Sequence, residues 1–282
     1  MSNPNDDAAP IDLAALRGEI DRLDREMHER LMQRSAIIER LIAVKKTSQS
    51  GSAFRPGREA AMMKALAERH SGLLPLDTVE SIWRVIIGTF TYVQAPYTIH
   101  ADISAGDGPM RDSARFHFGF TVPYQPHPDA RAVIAAVAGG RGDLGIFRLD
   151  QGASAGDWWN DLIGPDRPKV IARLPFIERD DHPAGTPIFV ISKPLADAAV
   201  RDVVLYAARF ERWRSEAAGA IAGAGGEIVC TTGVAGQLSM LFSVPGDLDI
   251  QSLTDLLTQA GAAPAEIAEI GSHAARYRSD GS

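Results

Sequence analysis

The sequence predicts an α + α/β multidomain protein, in which an N-terminal, dimer-forming three-helix domain precedes a smaller α/β region that ends in a βαββαβ module. Three patterns predict it. Apolar residues recur at helical spacing from residue 12 to about residue 46, strand-like runs alternate with helical ones from residue 98, and six elements in the order βαββαβ follow residue 202. We expect a flexible tail at 1–11, the helical domain at 12–97, an α/β segment at 98–192 and the βαββαβ module at 193–282.

The composition excludes several classes of protein. The chain has 282 residues, enough for two domains, and 45% of them are hydrophobic, which is enough for real cores. Its 29 basic and 36 acidic residues give a net charge of -7, so we expect no nucleic-acid partner and no anionic membrane surface. The start, MSNPNDDAAP, lacks the features of a secretory signal, and no apolar run approaches the roughly 20 residues of a membrane span. We therefore expect a cytoplasmic protein.

Cysteine and histidine usage predicts neither a disulfide nor a metal site. Cys230 is the single cysteine of the sequence, and the seven histidines show no paired zinc-ligand spacing. Cys230 stands among Ile228, Val229 and Thr231 in a predicted strand, which favours a buried structural thiol over a nucleophile. We expect no metal and no cofactor.

The first helix organises the N-terminal domain. Gly18 is its one weak point, which costs about 1 kcal/mol relative to Ala, and the helix is expected to extend beyond about 45 Å. Such a helix is too long for a compact monomer, and its apolar face predicts a homodimer paired through this helix. The apolar positions are Leu13, Leu16, Ile20, Leu23, Met27, Leu31, Ile37, Ile38, Leu41 and Val44.

Two shorter helices complete the domain. The turn formers TSQSGS end the first helix, and Pro56 suits the first turn of a second helix that is predicted to reach about Arg69. Asp77 and Glu80 have the spacing of a capping box, which predicts where the third helix begins, and Pro96 ends it.

The α/β region follows from shorter periodicities. Strands are predicted in YTIHADI, LGIFRL, KVIARLPFI and PIFVIS, and helices in DARAVIAAVAGG and DWWNDLI. Residues 140–145, GRGDLG, fit the pattern G-x-G-x-x-G but precede a strand, whereas a dinucleotide site needs a strand followed by a helix. We therefore reject a Rossmann site. Residues 202–273 then give the ferredoxin-like βαββαβ order.

Six polar residues of the helical domain resemble those of the all-helical chorismate mutases in type and spacing, with a one-residue shift in the loop after the first helix. The resemblance covers about residues 12–96. Three of the residues are basic and lie in the first helix, two lie in FRPGREAAMM, and one ends RVIIGTFTYVQ. In order they are Arg17, Arg34, Lys45, Arg58, Glu59 and Gln94.

The resemblance implies an enzyme that rearranges chorismate to prephenate, in the biosynthesis of phenylalanine and tyrosine. This Claisen rearrangement is intramolecular and uses no nucleophile, so the catalyst has to fold the substrate and stabilise separating charge. By resemblance, Arg17, Arg34 and Arg58 bind the two carboxylates of chorismate, Lys45 and Gln94 donate to its ether oxygen, and Glu59 accepts from its ring hydroxyl.

Helix geometry limits which of these residues share one site. Arg34 and Lys45 are eleven residues apart, so they lie on one face with Cα atoms about 16 Å apart. Arg17 lies 28 residues from Lys45, about 42 Å along the helix, so it is expected to come from the partner chain. Two positions depart from well-known members of the family: Arg55 stands where an acidic residue can occur, and Phe90 where a small hydroxyl residue can occur.

The rest of the chain resembles parts of other proteins of the same metabolism. Residues 193–282 resemble an ACT-type regulatory module, and residues 98–192 resemble one lobe of a prephenate dehydratase. Thr186 is kept where dehydratases carry T-R-F-F-V-I, but Pro187 replaces the arginine. Between Glu178 and Thr186 only a short polar turn stands where a dehydratase has its second lobe.

Three functional hypotheses follow. The first is a chorismate mutase whose C-terminal region has lost dehydratase chemistry and serves assembly or regulation. The second is a bifunctional chorismate mutase–prephenate dehydratase. The third, of another class, is a binding or scaffold protein with a relic mutase site.

Overall fold

The computed structural model describes residues 12–45, 53–149, 156–194, 200–234 and 237–278. The chain divides into two compact units, Met1–Ser50 and Gly51–Ser282. The predicted tail, residues 1–11, and the predicted turn at residues 47–52 lie outside the described residues. The domain boundaries predicted at residues 97/98 and 192/193 stay predictions.

The first unit contains one long helix, α1 (Leu13–Lys45), as the periodicity predicts. The Asp12 carboxylate accepts a hydrogen bond from the Ala14 amide at 2.9 Å, so Asp12 caps the helix N-terminus. The 33 residues of α1 span about 50 Å. Most of its apolar stripe is exposed, including Ile20 at 57% and Met27 at 62%.

The second unit begins with the helices α2 (Pro56–Arg69) and α3 (Leu76–Gln94). Pro56 occupies the first turn of α2, as predicted. The predicted capping box of α3 is wrong, because the helix begins one residue before Asp77. Pro75 is the N-cap and no side chain caps the helix. Asp77 instead lies in the first turn, where its charge favours the helix dipole.

The α/β segment contains β1 (Ile99–Asp102), α4 (Asp107–Phe118), β2 (Tyr124–His127), α5 (Ala130–Gly139), β3 (Leu144–Arg148), a 3₁₀ helix (Trp158–Leu162), β4 (Lys169–Leu174), β5 (Ile177–Glu178) and β6 (Ile188–Ser192). Strands β1, β2 and β3 are parallel, and β6 runs antiparallel to β3 and β4. The turn at residues 140–143 follows helix α5 and precedes β3, so the order that argues against a Rossmann site is confirmed.

The remaining elements are β7 (Val203–Phe210), α6 (Ser215–Gly223), β8 (Glu227–Val234), β9 (Gln237–Pro245), α7 (Ile250–Gln259), β10 (Glu266–His273) and β11 (Tyr277–Arg278). The predicted βαββαβ order is confirmed. Its four strands lie in the order β10-β7-β9-β8. They extend the sheet of the preceding segment, because β10 pairs in parallel with β4. The result is one nine-stranded sheet, β2-β1-β3-β6-β4-β10-β7-β9-β8, and β11 pairs separately with β5.

Helices α2 and α3 share a hydrophobic core with one face of this sheet. Met63 of α2 and Ile87 of α3 pack in the same cluster as Phe118 of α4 and Ile99 of β1. Gly88 allows the closest approach, since a Cβ there would lie 2.6 Å from the carbonyl oxygen of Phe118. The sheet therefore fixes the position of the two shorter helices that carry three of the predicted site residues.

Candidate active site

The first unit places three of the six predicted residues on a single helix. Arg17, Arg34 and Lys45 all lie in α1, and Lys45 is its last residue. Arg34 and Lys45 are three turns apart on one face of this helix, about 16 Å between Cα atoms, whereas Arg17 is about 42 Å from Lys45. Within one copy of α1, Arg34 and Lys45 therefore share a face, whereas Arg17 lies too far along the helix to share a site with Lys45.

The second unit contains the other three residues. Glu59 lies in the first turn of α2 and is buried, while the preceding residue Arg58 is exposed. Gln94 ends α3, and its amide Nε2 donates a hydrogen bond to the Phe90 carbonyl at 2.9 Å. Within the described range 53–149, Arg58, Glu59 and Gln94 form no hydrogen bonds with one another. Arg55, which departs from the family pattern, donates to the Phe54 carbonyl at 2.9 Å.

Glu59 forms a buried ion pair that the sequence did not predict. Arg84 of α3 donates from Nη1 to Glu59 Oε2 at 3.1 Å, and the two side chains are only 4% and 10% exposed. Burial raises the pKa of the Glu59 carboxyl, and the Arg84 charge and hydrogen bond oppose this rise. The signal was present in the sequence, since Glu80, Arg84, Ile87 and Thr91 repeat on one helical face that is buried.

Tyr97 lies close to the same pair. Its ring is buried, and the phenol oxygen has no hydrogen-bond partner among the described residues. Burial, and then the Glu59 charge, raise the pKa of the phenol. The phenol therefore stays protonated and remains a potential hydrogen-bond donor beside Glu59.

The cavity beside Glu59 and Arg84 has a volume of about 20 Å³ and is also lined by Phe54 and Arg173. A space of this size holds about one water molecule, whereas small-molecule sites occupy roughly 300 Å³ or more. The cavity that the described residues of the second unit form at Glu59 is therefore too small for a substrate.

A second buried polar cluster joins α3 to the turn between β5 and β6. His182 Nδ1 accepts from the Ala184 amide at 3.0 Å, so its Nε2 carries the proton and donates to Glu80 Oε2 at 3.2 Å. The His117 ring stacks on His182 with 6.1 Å between centroids. Burial, the Arg84 charge and His182 lower the pKa of His117 well below its usual value. The short polar turn between Glu178 and Thr186 therefore places the buried His182 against α3, the helix that also contains Arg84.

The single cysteine of the sequence has the surroundings of a structural residue. Cys230 lies in β8 and is buried, and burial raises the pKa of its thiol, which keeps the thiol protonated. Among the described residues no group of three or more His, Cys, Asp or Glu side chains could hold a metal ion. No helix in the described part of the chain is both long and apolar enough to cross a membrane.

Two kinds of comparison with known proteins gave matches: a family model matches the N-terminal part, and solved structures match about two thirds of the chain. Residues 16–95 match the model of the family chorismate mutase type II. No curated protein matches the chain significantly. Among solved structures, the chain is similar to GqqA, described as a novel type of quorum-quenching acylase, with a TM-score of 0.45 and 16% identity over 63% of this chain and 95% of that one. It is also similar to the prephenate dehydratase of Streptococcus mutans, with a TM-score of 0.38 and 12% identity over 64% of this chain and 100% of that one.

The family match encloses every residue predicted for the site. It begins one residue before Arg17 and ends one residue after Gln94. Residues 16–95 of this chain are therefore similar to the chorismate mutase type II family over the whole of the predicted site.

Proposed function

We propose that this protein is a chorismate mutase that acts as a cytoplasmic homodimer and rearranges chorismate to prephenate. The observation that carries the proposal is the family match to residues 16–95, which encloses all six candidate residues. In the proposed enzyme the α/β region from residue 98 onward has no catalytic part and serves assembly or regulation.

The geometry of α1 supports a site built from two chains. Chorismate needs two carboxylate contacts and a donor at its ether oxygen, and Arg34 and Lys45 are two basic residues on one face of α1, about 16 Å apart between Cα atoms, which leaves room for a ligand between them. Arg17 is about 42 Å from Lys45 along α1, so it serves the site of the partner chain. Pairing two copies of α1 would also bury the exposed stripe that includes Leu23 and Ile37, at 45% and 61% exposure.

The buried pair on α2 and α3 gives Glu59 a defined orientation. Arg84 donates to Oε2, which leaves Oε1 of Glu59 as the atom that accepts from the ring hydroxyl of the substrate. Arg84 also opposes the effect of burial on the Glu59 pKa, so it favours the ionised carboxylate that this role requires. Arg84 is thus a positioning residue in the proposed site.

The test is a two-stage assay on the purified full-length chain. Chorismate loss is followed by absorbance, and phenylpyruvate is measured in parallel samples with and without acid treatment, which converts prephenate to phenylpyruvate. The proposal predicts chorismate loss with phenylpyruvate only after acid. Phenylpyruvate formed without acid would identify the bifunctional enzyme, and no enzyme-dependent loss of chorismate would refute the mutase activity.

A further inference from the structure

The exposed face of α4 lines an open cleft of about 550 Å³ in the second unit. None of the six predicted mutase residues is in its described lining, to which Ser81 of α3 and the pair Pro183 and Ala184 before β6 also contribute. Five residues of α4 and of the turn after it supply three charges and two aromatic rings. We call them the α4 surface, and they are Arg111, Asp112, Arg115, Phe116 and Phe120.

Phe120 is part of an exposed apolar area at the end of α4. It is 81% exposed, and the Arg115 guanidinium lies 4.9 Å from the centre of its ring. Val85 of α3 is 40% exposed and adjoins Gly119, since a Cβ at that glycine would lie 3.7 Å from the Val85 side chain. Contiguous exposed apolar residues mark sites of interaction, so this area indicates a contact with another molecule.

Two charges of the α4 surface have no ionic partner among the described residues. Arg115 donates from Nη1 to three backbone carbonyls of the following turn, at 3.3–3.4 Å, and no carboxylate in the described part of the chain pairs with it. Asp112 is exposed, and its carboxylate forms neither a hydrogen bond nor an ion pair within the described ranges. The third charge, Arg111, is already paired with Asp107 at 2.5 Å. The surface therefore presents one free cation and one free anion.

These two free charges make the surface complementary to a second copy of itself. Asp112 and Arg115 are three residues apart in α4, about 4.5 Å along the helix axis. If two copies of α4 pack antiparallel about a two-fold axis that passes between these residues, each Arg115 lies opposite the Asp112 of the other copy. A partner of one charge sign would pair with one of the two residues and leave the other desolvated without a partner, whereas a second copy pairs with both.

We propose that the α4 surface is a self-association interface, at which two copies of this chain pair through α4 about a two-fold axis. Arg115 of each copy pairs with Asp112 of the other, and the pairing covers the exposed ring of Phe120. The inference rests neither on the proposed mutase activity nor on pairing through α1, since the α4 surface contains no residue of that site or of that helix.

The experiment is sedimentation velocity of the full-length protein over a range of concentrations, with charge-reversal variants. Asp112→Arg and Arg115→Glu each place like charges opposite one another at both contacts of the pair, so each alone is expected to raise the dissociation constant at least about tenfold. An equimolar mixture of the two variants should associate with about the wild-type affinity, because both contacts of the mixed pair again join an arginine to an acidic side chain. If another segment of the chain or a different protein covers this surface, mixing restores nothing, and that result in folded variants would overturn the proposal.

Two further variants test the apolar contact and the specificity of the charge effect. Phe120→Ser is expected to weaken the association at least about tenfold, whereas Arg141→Glu, a charge reversal at an exposed arginine outside the cleft, should leave it unchanged. Arg115→Glu also removes the hydrogen bonds to the turn after α4, so circular dichroism checks its fold. If that variant is unfolded, Asp112→Arg and Phe120→Ser decide the matter. Wild-type affinity in either of these folded variants, or a wild-type protein that does not associate at all, would contradict the interface.

Discussion

The buried ion pair between Glu59 and Arg84 makes a sharp prediction about stability. Arg84→Met keeps most of the volume of the side chain but removes the charge that faces Glu59 at 3.1 Å. Because both side chains are nearly inaccessible to water, the variant leaves a carboxylate buried without its partner. Breaking a buried pair in this way costs about 3–5 kcal/mol of the free energy of unfolding.

The cost depends on pH in a defined direction. The folded-state pKa of Glu59 lies above its ordinary value of 4.5, and losing Arg84 raises this pKa further. A carboxyl with a raised pKa favours folding below its unfolded pKa, and this contribution is lost as the pH rises through the folded pKa. The penalty of Arg84→Met is therefore expected to be largest at about pH 8 and smaller at about pH 5.5, where more of Glu59 is protonated.

Urea unfolding followed by tryptophan fluorescence measures these differences. The double variant Glu59→Gln with Arg84→Met should recover most of the lost stability at pH 8, since it removes the buried charge altogether. Arg201→Met is the control, because the ion pair of Arg201 with Glu269 is half exposed and is worth less than about 1 kcal/mol. If Arg84→Met behaves like the control, or if the double variant is no more stable than Arg84→Met, Glu59 and Arg84 do not form a buried pair.

Three further predictions concern activity and pH. Lys45→Ala or Arg34→Ala should lower the rate of chorismate turnover about a hundredfold or more in folded protein, and near-wild-type turnover in either would remove that residue from the site. Mixing Arg17→Ala with Lys45→Ala chains under subunit exchange should restore activity at one site of the mixed dimer, and no recovery despite confirmed exchange would place Arg17 outside the partner's site. Burial holds the pKa of His117 in the folded protein below the usual value of 6.5, so the stability that neutral His117 contributes is lost as the pH falls below that value. The melting temperature of wild type should therefore fall more between about pH 7.5 and pH 5.5 than the melting temperature of His117→Phe. An equal loss in both proteins would show that His117 takes up its proton normally when folded.

Elements with a strong local pattern were predictable from the sequence, whereas contacts between distant segments were not. The apolar period of α1 and the order of β7 to β10 follow from residues near one another in the chain. Strand β2 was missed because YQPH has no alternating apolar residues and contains Pro126, which is tolerated at a sheet edge. The start of α3 was misplaced because Pro75, rather than Asp77, is its N-cap.

The candidate site shows the same limit. The family resemblance indicated Glu59, but its partner Arg84 lies 25 residues away in the chain, and the partners Glu80 and His182 are 102 residues apart. No periodicity within one segment reveals such pairs. The only sequence signal was charge on the buried face of α3, and the packing of α3 against the α/β region gives that charge its partners.

The parallel pairing of β4 with β10 has a consequence for how this chain can be divided. The two strands meet at Gly271, where a Cβ would lie 2.2 Å from the Val170 carbonyl oxygen, so even a methyl side chain would force them apart. If the chain were cut after residue 192, the backbone groups of β4 that face β10 would be unpaired in the N-terminal fragment. The backbone groups of β10 that face β4 would likewise be unpaired in the C-terminal fragment. Residues 193–282 are thus not an independent module: deleting them would turn β4 into an edge strand, and transferring them to another protein would turn β10 into one, whereas both strands are paired on both sides in the intact chain.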